Sequence, residues 1–158
     1  MERFTNAAFS FEVTDTAAAG RDGPHGVAIL LHGFPQDRRC WDRVTSTLAG
    51  CGYRVLAPDL RGYSPAARPA GRAAYRSSQL AADVLALADA AGAKRFYLAG
   101  HDWGAALAWY VAGRHPGRVT SLAALSVPHP RAFARALISS HQAARSWYRA
   151  AWQLPGLP

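Results

Sequence analysis

The chemistry in this chain starts at residues 97–109, which read YLAGHDWGAALAW. An apolar stretch suited to a strand runs into Gly100, His101, Asp102, Trp103 and Gly104, and straight on into an Ala- and Leu-rich stretch suited to a helix. Glycines two before and two after a central polar residue are what a sharp strand-to-helix bend needs. The central residue is held strained and exposed, and a Cβ at either flanking site would clash. Such a nucleophile elbow usually carries serine; here the centre is Asp102. A serine hydroxyl must lose a proton before it attacks, and suits acyl transfer. A carboxylate is already ionised at neutral pH. It can displace a leaving group at saturated carbon and form an alkyl-enzyme ester. The positive end of the following helix favours that charge by ~0.3–1 kcal/mol. The rival reading makes Asp102 a simple N-cap, since Asp is among the commonest capping residues.

A second motif argues for chemistry. His32, Gly33, Phe34 and Pro35 directly follow the apolar run VAILL, about 70 residues before Asp102. A loop at the carboxyl end of a neighbouring strand can aim a backbone N–H into the same crevice. The amides of Phe34 and Trp103 would then form a two-donor oxyanion hole. His32 and His101 precede the reacting groups and are expected to hydrogen-bond locally, holding the two loops.

Positioning these groups requires strands that alternate with helices. Residues 9–14, 27–31, 53–57, 95–99 and part of 119–127 read as strands, the VAILL run as one buried on both faces. Helices are predicted over 41–49, stopped by Gly50 and Gly52, over 77–91 with Ser77 or Ser78 as cap, and over 104–114. In the second, Leu80, Val84, Leu87 and Ala91 form one apolar stripe. This alternation implies an α/β fold with a mostly parallel sheet, flanking helices and right-handed crossovers. After Pro128 the pattern becomes helical and aromatic-rich, which divides the chain into 1–130 and 131–158.

HGFP, then DLRGYS at 59–64, then GHDWGAALAW together resemble the sequence blocks of epoxide hydrolases in the α/β-hydrolase superfamily. The resemblance spans about residues 9–157. It implies a hydrolase with the α/β-hydrolase fold, no cofactor and no metal, a small apolar epoxide as substrate and a diol as product. Haloalkane dehalogenases share the aspartate but commonly carry Asn where this chain has Phe34. Fluoroacetate dehalogenases typically carry Arg where it has Trp103. Residues 146–158 (SWYRAAWQLPGLP) are similar to the first cap helix of epoxide hydrolases, which implies that Tyr148 donates a hydrogen bond to the epoxide oxygen. A phenol donates a proton without carrying charge. Packing the cap is the plainer role for such an aromatic.

In that superfamily an acid and then a histidine follow the nucleophile. After Asp102 this chain has His115, His129 and His141 but no Asp or Glu. The expectation is therefore a truncated chain: an incomplete C-terminal half, an exposed sheet edge, and at most a single alkylation of Asp102 without turnover. Two alternatives stay open. One is a haloalkane or haloacid dehalogenase with the same nucleophile; the other is a non-catalytic, hydrolase-like binder of a small ligand.

The bulk composition narrows the remaining classes. With 158 residues, half of them hydrophobic and 18% charged, the chain has enough apolar matter for one sizeable core. A net charge of +8 suggests nucleic acid, yet the arginines are spread along the chain without a basic run or an aromatic platform. Cys40 and Cys51 are too few for a disulfide framework and suit free thiols. The first residues lack the pattern of a secretory signal and no apolar run reaches membrane-spanning length, so a cytoplasmic location away from membranes is expected. Neither phosphate-binding glycine motif nor metal-ligand histidine spacing occurs. Oligomeric state is not legible.

Overall fold

The computed structural model describes residues 1–16 and 23–147. Six strands form one sheet: β1 (Arg3–Asn6), β2 (Phe9–Asp15), β3 (Val27–Leu31), β4 (Arg54–Pro58), β5 (Phe96–His101) and β6 (Val119–Leu125), in the spatial order β1-β2-β4-β3-β5-β6. The last four are mutually parallel, as expected of strands joined through helices. Helix α1 (Asp42–Gly50) lies between β3 and β4 in the chain, α2 (Ser77–Ala90) between β4 and β5, and α3 (Trp103–Arg114) between β5 and β6.

The amino-terminal end departs from the parallel pattern. β1 and β2 form an antiparallel hairpin, and β2 pairs antiparallel to β4. Only Ala7 and Ala8 separate the two hairpin strands. So short a connection permits only antiparallel pairing. Sequence patterning misses β1 because its four residues bury only one apolar side chain, Phe4, which stacks on Phe11 at 4.8 Å.

Helix starts differ from expectation as well. Neither Ser77 nor Ser78 caps α2: Arg76 occupies the cap position with extended backbone and no side-chain cap bond. Its carbonyl accepts the Gln79 and Leu80 amides, so the helix is already under way before either serine hydroxyl could serve. A 3-10 turn at Arg38–Trp41 precedes α1, and there Asp37 is the cap, accepting the Arg39 amide. Helix α1 itself runs through Gly50 and ends at Cys51, before Gly52 at φ +86°.

Apolar packing explains the layering. On one side of the sheet Ile29, Leu31, Phe96 and Leu98 pack with Val84 and Leu87 of α2 and Leu107 and Val111 of α3. On the other, Leu30, Val55 and Ala57 pack with Trp41 and Leu48. All five residues of β3 are buried, as are all five of β4. β6 is the terminal strand among the described residues, and its positions are half-buried or exposed, none fully buried.

Two compact units are divided between Val127 and Pro128. The second contains α4 (Pro130–Ser139) and α5 (Gln142–Arg145), with the His129 ring accepting the Arg131 amide at 3.1 Å to cap α4. Among the described residues no helix is long and apolar enough to cross a membrane.

Candidate active site

Asp102 sits between the end of β5 and the start of α3, with φ 53° and ψ −122°. For a residue with a Cβ this backbone costs about 1–3 kcal/mol, and surrounding atoms must hold it there. A Cβ on Gly100 would collide with the Gly104 carbonyl group, and one on Gly104 with the Leu31 and His32 carbonyl oxygens. The two glycines thus let α3 start directly against the ends of β5 and β3. The Asp102 amide donates to the Leu125 carbonyl at the end of β6, at 3.2 Å. Its own carbonyl accepts the Ala105 and Ala106 amides and so begins the helix.

Main-chain bonding leaves the carboxylate free of capping duty, and its side chain makes no cap bond. Instead Oδ1 accepts the Phe34 amide at 3.0 Å, from the turn after β3. Gly33 makes the approach possible, because a Cβ there would lie 2.5 Å from Asp102 Cβ and 2.8 Å from Oδ1. Trp103 is the first residue of α3, where an amide has no acceptor within the helix. Phe34 and Trp103 are 61% and 48% exposed.

His32 anchors the turn. It is fully buried, its Nδ1 lies 3.1 Å from the Gly33 carbonyl, and Nε2 accepts the Leu60 amide at 3.0 Å. Those two partners select the neutral tautomer with the proton on Nδ1. Burial pushes the ring's pKa down, against weaker upward pulls from the Gly33 bond and from Asp59 and Asp37. Tyr63 packs against this ring in a T-shaped contact with centroids 4.5 Å apart. Burial, and secondarily the Asp102 charge, raises the Tyr63 phenol.

Behind the site the loop after β4 is pinned by ion pairs. Asp59 accepts the Arg38 amide at 2.8 Å and pairs with the Arg38 guanidinium, while Arg61 forks onto Asp83 of α2 at 2.6 and 2.8 Å. Trp41 is buried in the core.

The structure therefore brings His32, Gly33, Phe34, Pro35, Gly100, His101, Asp102, Trp103 and Gly104 into one neighbourhood at the carboxyl ends of β3 and β5. Tyr148 lies outside the described residues. Three participants were not singled out from sequence: Gln36, whose side chain reaches His101, Tyr63, and the Leu125 carbonyl. Tyr63 lies within the DLRGYS block and Gln36 directly follows HGFP, but partners 31 and 65 residues away respectively leave no local signal. No group of three or more His, Cys, Asp or Glu among the described residues is placed to hold a metal ion.

Known proteins resemble this chain in sequence and fold. The AB hydrolase superfamily protein YfhM of Bacillus subtilis is 39% identical over 144 residues, covering 90% of this chain and 50% of that protein. Epoxide hydrolase A of Mycobacterium tuberculosis is 43% identical over 137 residues, covering 83% of this chain and 42% of its own. The crystal structure of Epoxide Hydrolase A from Mycobacterium thermoresistibile superposes with a TM-score of 0.79 at 32% identity, covering 98% of this chain and 49% of that one. The chain thus spans about half the length of the relatives it matches. A family model described as alpha/beta hydrolase fold matches residues 27–156, and with this elbow on this sheet the chain belongs to the α/β-hydrolase family.

Proposed function

We propose that this chain carries the nucleophile half of an epoxide hydrolase, with Asp102 as the attacking group. The observation that carries the proposal is the 3.0 Å bond from the Phe34 amide to Oδ1 of a carboxylate that makes no cap bond. Oδ1 is engaged, so Oδ2 is the nucleophile. It attacks an epoxide carbon, the C–O bond of the strained ring breaks, and the ring oxygen takes a proton, for which Tyr148 is the proposed donor. The product is an ester whose carbonyl oxygen is Oδ1.

Water then adds to Cγ, charge develops on Oδ1, and the amides of Phe34 and Trp103 hold it until the Cγ–Oδ2 bond breaks and the diol leaves. A donor of this kind is worth about 10²–10³ in rate. Trp103 follows the carboxylate in sequence and Phe34 meets it through its amide, and the exposed rings of both suit a small apolar epoxide. No step requires a metal or an organic cofactor. The water needs a base, and after Asp102 this chain provides no carboxylate to orient a histidine for that task. The chain alone is therefore expected to be alkylated once.

Incubation with styrene oxide followed by intact-protein and peptide mass spectrometry tests this. One adduct on Asp102, lost in Asp102→Asn, is the expected result. Adduct formation elsewhere, or unchanged labelling of the Asn variant, would refute the nucleophile. Multiple turnover to diol by the parent chain would refute the single-alkylation limit.

A further inference from the structure

Two polar contacts cross between the turn after β3 and the elbow, and they differ in one respect. The Phe34 amide is held by the charge of Asp102, which esterification removes. The other contact joins Gln36 Oε1 to His101 Nδ1 at 3.2 Å and involves neither reacting oxygen. Because a side-chain carbonyl only accepts, this contact puts the His101 proton on Nδ1. Gln36 is rigidly tied to the residue that matters, since its own amide closes the turn onto the Gly33 carbonyl at 2.9 Å. His101 is covalently next to Asp102. The clasp thus fixes the spacing between the Phe34 amide and Oδ1 from two residues beyond Phe34 on one loop and one residue before Asp102 on the other.

We propose that Gln36 is a positioning residue: through His101 it keeps the Phe34 amide in register with Asp102 Oδ1 after the carboxylate has become a neutral ester. This rests on the reading of Asp102 as the nucleophile. The alkylation step has the Asp102 charge to hold the turn and depends little on the clasp. Cleavage of the ester, which begins from a neutral carbonyl and builds charge on Oδ1, depends on it more.

Hydroxylamine reads the second step without the catalytic base. Its nitrogen lone pair attacks Cγ, the Cγ–Oδ2 bond breaks, the diol departs with a proton from the nitrogen, and Asp102 is left as a hydroxamate. The chain is labelled with styrene oxide, the labelling rate is recorded, and loss of adduct in hydroxylamine is followed by mass spectrometry for the parent, Gln36→Met and Gln36→Glu. Met has similar reach and no strong acceptor, while Glu keeps the acceptor.

The expected result is hydroxylamine cleavage about tenfold slower in Gln36→Met, a fraction of what losing a whole oxyanion donor costs. Labelling should change by less than about twofold, and Gln36→Glu should recover the parent's cleavage rate. The His101 ring 15N shifts should report a proton on Nδ1 in the parent and on Nε2 in Gln36→Met. Equal slowing of both steps with a lowered melting temperature would mark a merely structural residue and overturn the proposal, as would unchanged 15N shifts. An adduct that forms but is cleaved at one rate in all three chains overturns the clasp alone. Absence of any adduct on the parent overturns the nucleophile reading beneath it.

Discussion

β3 and β6 flank β5 on its two sides, run parallel to it, and are both apolar in sequence, yet they hold Asp102 in unequal ways. β3 pairs on both edges and is buried along its whole length. It continues into the turn whose Phe34 amide meets the carboxylate and whose His32 is locked between Gly33 and Leu60. Among the described residues β6 pairs with β5 alone, and its Ser121, Ala123 and Leu125 are exposed. It grips Asp102 through one main-chain bond, from the Asp102 amide to the Leu125 carbonyl. Similar composition therefore carries different weight. A strand packed between two helical layers transmits its position to a loop, whereas a terminal strand with one open face contributes a hydrogen bond and little packing.

The sharpest way to break this contrast is Gly104→Ala. The new Cβ would meet the Leu31 and His32 carbonyls, which are backbone and have no rotamer to yield. A loss of about 4 kcal/mol or more is expected, read as a collapse of the urea midpoint. A variant within 1 kcal/mol of the parent would show that β3 does not fix the elbow. Next in size is Ile29→Ala, at 0% exposure in the middle of β3. Deleting that side chain should cost about 3 kcal/mol in the same measurement.

A pH effect follows on the β3 side only. The folded state depresses the His32 pKa, chiefly by burial, so the unfolded chain binds a proton more readily. Stability should be full above the unfolded value of about 6.5 and fall as pH drops below it. Protonation also places a second donor against the Leu60 amide. Melting temperatures measured between pH 7.5 and 5 should decline in the parent and less steeply in His32→Asn; parallel slopes would remove His32 as the cause. The smallest effect is expected at Leu125→Ala, where a residue 44% exposed on the terminal described strand keeps its main-chain bond to Asp102. A cost below about 1 kcal/mol fits the comparison. A cost equal to that of Ile29→Ala would erase it.

Much of the architecture was readable in advance. The VAILL run matches β3 residue for residue, and the stripe on α2 is the one that packs, with Val84, Leu87 and Ala91 buried. Continuous apolar runs and 3.6-residue periodicity are local signals. The failures were equally physical. β1 is too short to show a period, and the α2 cap lay with a main-chain carbonyl that has no residue-type signature. At the site, residue types pointed to the elbow and the turn, while Gln36 escaped notice because its partner lies 65 residues away.

By itself the amino-acid sequence determined where glycines permit a tight bend, which residue stands at its apex, and which stretches must be buried. Each of these depends on side-chain size and polarity over a few neighbouring positions. Only the tertiary structure decided that the Asp102 carboxylate turns toward the Phe34 amide rather than capping its own helix, that His32 holds one tautomer, and that β6 has an open face. Those outcomes depend on which strands become neighbours. Strand order brings together groups that the chain keeps up to 68 residues apart, so no local pattern encodes their meeting.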